Sequence, residues 1–432
     1  GTPSATVMAG VLVSSGVERV AKGVPVARVI EGLRTGLKRA LEVMQEHTRP
    51  LKGLDDPLVL QVALVAGRGH TDIADLVTQA AVLIGEEKLK DRSFKFSDSI
   101  VAEEGAENQV FMGVIINKER MNRQMPKELE QVKVLVIDDA LEPEEIDDEA
   151  LGTEAGFTRY LELQEEFKEN LKKILDLGVG LVLVDRGVAD TAEEILTDEG
   201  VMVIQRVANK ELRKAAEHTG ARMIKRTGLK RPLAELERYL GKADRVYNDE
   251  KLEQVWILGG KGKPMATVLV GAATSEVVGE RERIAKDAAA SLQAAIRSGV
   301  VPGGGSLELW AAREVDKVRE GIRGMAAYGV ECVVEALKKP MAQIVANAGF
   351  NPLEKMGDVI AAQTETGKYS LAIDCDTGEV VDMYENGIVD PASVKIYALK
   401  AAGEVAEAIL RIDTIIKKRE EKADTSSDTF KV

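Results

Sequence analysis

A chain of 432 residues exceeds what one ordinary hydrophobic core organises, so two or three domains are expected. With 45% hydrophobic and 30% charged residues it reads as soluble and globular, and a net charge of −14 excludes a phosphate-backbone binder, which needs a basic face. Aromatic residues at 4% leave few stacking platforms for single-stranded nucleic acid, and no apolar run reaches the about 18 residues that span a membrane.

Cys332 and Cys375 are too few for a disulfide framework and fit a reducing cytoplasm; their apolar settings read as buried, inert thiols. His47, His70 and His218 show no metal-ligand spacing, so no zinc site is expected. The chain opens on GTPSATVMAG without a signal peptide or initiator Met, and a further segment upstream is expected.

Residues 1 to about 50 read as helix. Thr2 suits the N-cap, and Pro3 the first helical position, where a missing N–H costs nothing. Val7, Met8, Val11 and Leu12, interleaved with Ala5, Ala9 and Gly10, predict a helix buried on most sides; VARVIEGLRTGLKRALEVMQEH follows with better amphipathic spacing. From Asp55 to about Pro126, LVLQVALVAGRGHTDIADLVTQAAVLIGEE is helical, while SDSIVAEEG and VFMGVIIN read as strands.

From about Lys127 to Ala272 the period changes. Apolar VKVLVIDD, GLVLVDRG, GVMVIQRV and ARMIKRTG alternate with helical FTRYLELQEEFKENLKKILDLG, DTAEEILTDEG and NKELRKAAEHTG, which predicts a parallel α/β sheet. VWILGG and MATVLVG add a strand pair. Gly259 to Lys263 between them reads as a hairpin turn, because the phosphate-loop spacing and a following helix are both lacking. No G-x-G-x-x-G follows any strand, which argues against dinucleotide binding.

The remainder is helical again. TSEVVGERERIAKDAAASLQAAIRSG ends at Gly299, a natural C′ position. Pro302 then precedes Gly303, Gly304 and Gly305, whose entropic cost calls for a sharp turn or a ligand pressed against bare backbone. Ser306 is a candidate cap for the next helix, and Asp390 with Pro391 for DPASVKIYALKAAGEVAEAILRIDTIIKKR. The polar tail EEKADTSSDTFKV is expected to be disordered from about residue 420. Helical ends around an α/β centre suggest that the ends meet and the centre is inserted.

Taken singly, the candidate site residues have plain readings. Gly1, Thr2, Pro3 and Ser4 at a helix start offer N–H donors and a positive dipole end that suit phosphate, or merely cap the helix. Asp287 lies on a helix whose other face carries Ile284, Ala288 and Leu292, the ordinary setting of a solvated carboxylate. Asp before Pro, as at Asp390, commonly starts a helix or turn.

Together and in this order, GTPSATVMAG, KDAAASLQAAIRSGVVPGGGS and LAIDCDTGEVVDMYENGIVDPASVKIYALKAAGEVAEAILRID resemble the chaperonins. The resemblance is strongest to the group II type, the archaeal thermosome and eukaryotic cytosolic chaperonin. INKERMNRQMPKELEQVKVLVIDDALEPEE resembles the lead-in to that family's apical domain. Asp287 stands sixteen residues before Gly303, as the family's catalytic Asp stands before its triglycine.

There are departures. The family's phosphate loop reads Gly-Asp-Gly-Thr-Thr, whereas this chain begins after that Asp and carries Pro3 for a hydroxyl residue; the family's Leu-Gly-Pro-Lys-Gly loop is also lacking. Arg68 stands where the family usually has a nucleotide-sensing Lys, and a planar guanidinium does not reproduce a compact ammonium. These departures resemble the bacterial variant called group III.

The resemblance implies a multidomain α/β and α fold in nested order. A mostly helical equatorial domain would combine residues 1–54 and 303–432, and a small intermediate domain 55–127 and 273–302. An α/β apical domain, 128–272, would carry a helical protrusion as a built-in lid. The implied function is that of an ATP-dependent molecular chaperone subunit, an ATPase of the cytoplasm. It would enclose and fold non-native proteins in a double ring of identical or homologous subunits, with ATP and Mg²⁺ and no separate lid co-chaperonin.

In this reading Gly303, Gly304 and Gly305 would lie against the nucleotide, and Gly1, Thr2, Pro3 and Ser4 would cradle its phosphates. Asp390 would bond the ribose, Ala372 and Asp374 would lie near the adenine, Asp287 would orient and deprotonate the attacking water, and Arg68 would sense the nucleotide. Mg²⁺ would be held mainly by the phosphates and the Asp preceding Gly1, so no metal ligand is expected within the chain. Leu151, Phe157, Tyr160 and Leu161 would touch clients or neighbouring lids, or else pack internally. A passive binder of unfolded chains and an ATP-dependent metabolic enzyme are the other readings, though no second constellation for a small substrate is found. Without the upstream loops, the chain as given is expected to turn over ATP negligibly.

Overall fold

The computed structural model describes residues 2–147 and 151–421; Gly1 and the part of the tail beyond 421 lie outside the described residues. Contacts divide the chain into two compact units, residues 98–283 and residues 1–97 with 284–432. Among the described residues, no helix is long and apolar enough to cross a membrane.

The 98–283 unit is built on a sheet of eight strands. They are β1 (Ile100–Glu104), β2 (Gln109–Ile116), β3 (Glu128–Ile137), β4 (Val179–Val184), β5 (Met202–Ile204), β6 (Gly241–Asp249), β7 (Gln254–Leu258) and β8 (Ala266–Ala272). Their order is β1-β8-β2-β7-β6-β3-β4-β5. Along β3 the pleat sends Val132, Val134 and Val136 into one apolar layer, with Leu212 and Ala215 of helix Asn209–Thr219. Leu135 and Ile137 enter the opposite layer, with Phe167, Leu171 and Ile174 of helix Glu154–Asp176 and Leu196 of helix Asp190–Asp198.

The sheet is mixed, not the parallel one that the alternation predicts. Only β3-β4-β5 and β1-β8 pair in parallel; β2, β6 and β7 run antiparallel to their neighbours. Between β6 and β7 a short turn replaces the crossover helix that parallel neighbours require. VWILGG and MATVLVG form no hairpin either, because β2 lies between β7 and β8. Gly259–Lys263 instead docks on the end of helix Asn209–Thr219, with the Gly260 N–H donating to His218 Nε2 at 3.0 Å. ARMIKRTG contributes only a bridge at Ile224 before a tight turn over Arg226–Lys230.

In the other unit the two ends of the chain fold together. Helix Thr2–Ala21 packs along the C-terminal helix Ala392–Glu421, and helix Val26–Glu46 packs against Ala326–Asn347 and Ser306–Glu320. They share a core that includes Met8, Leu12, Leu33, Val43, Leu307, Val333, Leu399 and Leu410. Val26–Glu46 buries Val29, Ile30, Leu33, Ala40, Val43 and Met44, the stripe its spacing predicts. It crosses Ala326–Asn347 at two glycines: a Cβ on Gly329 would stand 2.1 Å from Val29 O and 2.8 Å from Gly32 Cα. The long helical stretch after Asp55 is two helices, Pro57–Ala66 and Thr71–Ile84, broken where Arg68 (φ 54°) and Gly69 (φ 79°) turn left-handed.

Among the described residues, four short strands complete this unit. β9 (Val300–Pro302) pairs antiparallel with β12 (Val389–Pro391), and β10 (Leu371–Ile373) with β11 (Val380–Asp382). Asp390 and Pro391 therefore lie in a strand rather than at a helix start; the helix begins at Ala392. Ser306 is likewise not the cap but the first helical residue after Gly305. Cys332 is buried, which pushes its thiol up to about 12, whereas Cys375 is exposed, contrary to its apolar sequence setting.

Candidate functional site

Helix Ser275–Ser298 ends at Gly299 (φ 81°), whose N–H donates to Ala295 O at 2.8 Å, and the chain turns into β9. The β9–β12 register sets Val301 opposite Asp390, and the Gly303 N–H extends the ladder by donating to Ile388 O at 2.9 Å. Asp390 is thereby brought beside the triglycine. Its Oδ2 lies 3.4 Å from the place a Cβ on Gly303 would occupy, and Ile388 Cγ2 lies 2.9 Å from that place.

Gly304 and Gly305 adopt φ values of 66° and 76°, which cost other L-residues about 1–2 kcal/mol. A Cβ on Gly304 would stand 3.0 Å from Met383 Sδ and 3.1 Å from Ala372 Cβ; one on Gly305 would stand 2.8 Å from Met341 N. The chain's own Ile388, Met383, Ala372 and Met341 thus occupy the space that the missing side chains leave. The sharp turn and this close packing call for glycine at all three positions.

Two buried polar side chains brace the loop. Ser306 Oγ donates to Gly303 O at 2.9 Å. Gln363 Nε2 donates to Ser306 O at 3.2 Å and Leu371 O at 3.1 Å, tying the loop to β10 and so to Ala372. Asp374 just beyond β10 is committed to its own turn: Oδ1 accepts from the N–H groups of Asp376 and Thr377 at 2.8 and 3.2 Å.

Lys395 forms a bridge that the sequence reading missed. Its Nζ lies 3.3 Å from Asp390 Oδ2 and 2.5 Å from Glu308 Oε1. The Lys395 and Glu308 side chains are 10% and 1% exposed. Burial opposes the charge on Lys395, but the carboxylates of Glu308 and Asp390 outweigh it and hold the ammonium above the usual lysine range. Glu308 stands in the first turn of helix Ser306–Glu320, where the positive dipole end favours an anion, and its Oε2 is buried without a hydrogen-bond partner. The only sequence signals were an acidic residue three positions past the triglycine and a lysine five positions past Asp390.

Asp287 and Arg68 form a second locality in this unit. Asp287 is exposed on Ser275–Ser298, whose buried face carries Ile284, Ala288 and Leu292. Arg68 is also exposed, and its turn abuts that helix: a Cβ on Gly67 would stand 3.8 Å from Ala288 Cβ. Roughly 16 Å of helix axis separates Asp287 from Ser298. Thr2 and Pro3 are exposed and Ser4 half-buried at the start of the N-terminal helix, and Thr2 O accepts from Thr6 Oγ1 at 3.0 Å. Gly1 lies outside the described residues. Among the described residues, no group of three or more His, Cys, Asp and Glu side chains is placed to hold a metal ion.

In the 98–283 unit, Phe157, Tyr160 and Leu161 are 55%, 39% and 49% exposed, and Leu151 is half-buried. Phe157 and Tyr160 stack with ring centroids 6.4 Å apart. Their helix turns Leu163, Phe167, Leu171 and Ile174 inward. Phe157, Tyr160 and Leu161 thus keep much of their apolar surface exposed.

Comparison with known proteins agrees with this architecture. The profile of the TCP-1/cpn60 chaperonin family matches residues 1–420. The chain is 31% identical over 457 residues to a thermosome subunit of Pyrococcus abyssi, covering all of this chain and 82% of that protein. It is 31% identical over 436 residues to the thermosome subunit beta of Archaeoglobus fulgidus, covering 96% and 78% respectively. The crystal structure of a group III chaperonin in the open state superposes with a TM-score of 0.91 at 46% identity, over 95% of this chain and 83% of that one. An open-state monomer of a group II chaperonin from Methanococcoides burtonii gives a TM-score of 0.71 at 24% identity, over 95% and 99%, a likeness of fold.

Proposed function

The chain belongs to the TCP-1/cpn60 chaperonin family, and on that premise we propose that it is an ATP-dependent molecular chaperone subunit. It binds ATP at the triglycine and Asp390, hydrolyses it with Asp287, and encloses non-native proteins in a double ring of identical or homologous subunits in the cytoplasm. The observation that carries this reading is the β9–β12 pairing, which brings Asp390 beside Gly303.

Asp390 accepts hydrogen bonds from the ribose, and Ala372 and Asp374 lie near the adenine. Gly1, Thr2, Pro3 and Ser4 cradle phosphates at a helix start, where N–H donors and dipole favour anions. A Mg²⁺ would be held mainly by the phosphates and, when bound, would supply charge neutralisation to them. Asp287 orients and deprotonates the attacking water, and Arg68 senses the nucleotide from the neighbouring turn.

The functional domains are equatorial (1–54, 303–432), intermediate (55–127, 273–302) and apical (128–272). The exposed Phe157, Tyr160 and Leu161, with Leu151, form the lid's contact with clients or neighbouring lids, which removes the need for a separate co-chaperonin. That exposure would equally serve a passive binder of unfolded chains. Phosphate release with and without denatured protein separates the two, with electron microscopy of the same sample. Client-responsive turnover from double rings of the full-length protein is expected; client binding by it with no hydrolysis at all would favour the passive binder.

A further inference from the structure

We infer that Lys395 is a positioning residue that fixes Asp390, through the buried Glu308–Lys395–Asp390 bridge, for recognition of a nucleotide's ribose hydroxyls. The inference rests on the nucleotide reading of this site. Glu308 is the deepest of the three, 1% exposed, and Asp390 the outermost at 31%. One ammonium between two carboxylates leaves a net charge of −1. Because Glu308 is sealed inside and bonded to Lys395 at the shorter distance, the surplus falls on Asp390.

A surplus negative charge has a defined preference. It repels phosphate oxygens and accepts from neutral hydroxyl donors, so this end of the site selects the sugar and not the phosphate tail. Lys395 also restrains geometry. With Oδ2 held from below and Ile388 O bonded to the Gly303 N–H beside it, the carboxylate meets a ligand already oriented. Removing the lysine would free the Asp390 rotamer and leave Glu308 buried without its counter-charge.

The test is equilibrium binding of ATP and 2′,3′-dideoxy-ATP to the full-length protein, as wild type, Lys395→Met, Lys395→Arg and the double variant Glu308→Gln with Lys395→Met. The double variant removes both buried charges, so it folds where the single change leaves an unpaired carboxylate. Wild type should prefer ATP by roughly tenfold or more, the scale of hydrogen bonds to a charged acceptor. In Lys395→Met and the double variant the preference should fall to within about twofold, mainly through weaker ATP binding, and Lys395→Arg should retain part of it. A purely structural lysine would weaken both ligands alike and leave their ratio unmoved. Discrimination in wild type that survives unchanged in both lysine-to-methionine variants would overturn the Lys395 assignment alone. Equal affinity of wild type for both nucleotides would overturn the ribose role of Asp390, and this inference with it.

Discussion

Gly303 and Asp390 meet at the end of the β9–β12 ladder, with Asp390 Oδ2 3.4 Å and Ile388 Cγ2 2.9 Å from the position of a Cβ on the glycine. Gly303→Ala must therefore displace Ile388 and crowd the carboxylate. The expected loss of stability is about 1–3 kcal/mol, the range for overpacking, accompanied by weaker ATP binding. Urea unfolding and equilibrium binding on the same variant measure both.

The Gly32–Gly329 crossing is a second place where one methyl group decides the outcome. A Cβ on Gly329 would stand 2.1 Å from Val29 O, an atom of the facing backbone that no rotamer change can move. Gly329→Ala should cost about 3 kcal/mol or more. Trp310, on a helix packed against Ala326–Asn347, reports it by fluorescence during urea unfolding.

His218 makes the 98–283 unit sensitive to acid. Its Nε2 accepts from the Gly260 N–H at 3.0 Å and its Nδ1 faces Lys263 O at 3.3 Å, so the native ring is neutral with its proton on Nδ1. Burial holds its pKa below the usual histidine value, against the smaller opposing effect of the bond to Lys263 O. In the unfolded chain the ring titrates at about 6.5. Below that pH the unfolded state takes up a proton that the folded state resists, so this stability is complete above about 6.5 and lost as pH falls toward the lower folded value. Unfolding followed through Trp256 should show the midpoint dropping below that pH, with a flatter dependence in His218→Gln.

Phe157, Tyr160 and Leu161 are exposed, so replacing all three with Ser should change stability by less than about 0.5 kcal/mol each. Binding of a denatured client should weaken severalfold. Light scattering during client aggregation, beside a thermal melt of the same variant, checks both halves of the prediction.

The helices around the core were legible because Val29, Leu33, Ala40 and Val43 repeat on one face. The sheet's strand directions were not, since buried parallel and antiparallel strands both read as apolar runs. Three-residue strands such as β9 and β12 carry no period at all. Asp390 accordingly read as a helix cap, from the proline beside it. Glu308 and Lys395 stand 87 positions apart, and their pairing exists only once β12 has brought the C-terminal helix beside the triglycine. The proposal for Asp287 rests on its spacing to that triglycine, a regularity of the resemblance and not of its own surroundings.

The most direct test of the account is single-turnover ATP hydrolysis by the full-length protein, wild type against Asp287→Ala, with ATP affinity measured on both. A general base acts mainly in the transition state. The account predicts hydrolysis slowed by roughly 10²–10⁴-fold with nearly unchanged ATP affinity; unaltered single-turnover hydrolysis in the variant would contradict it.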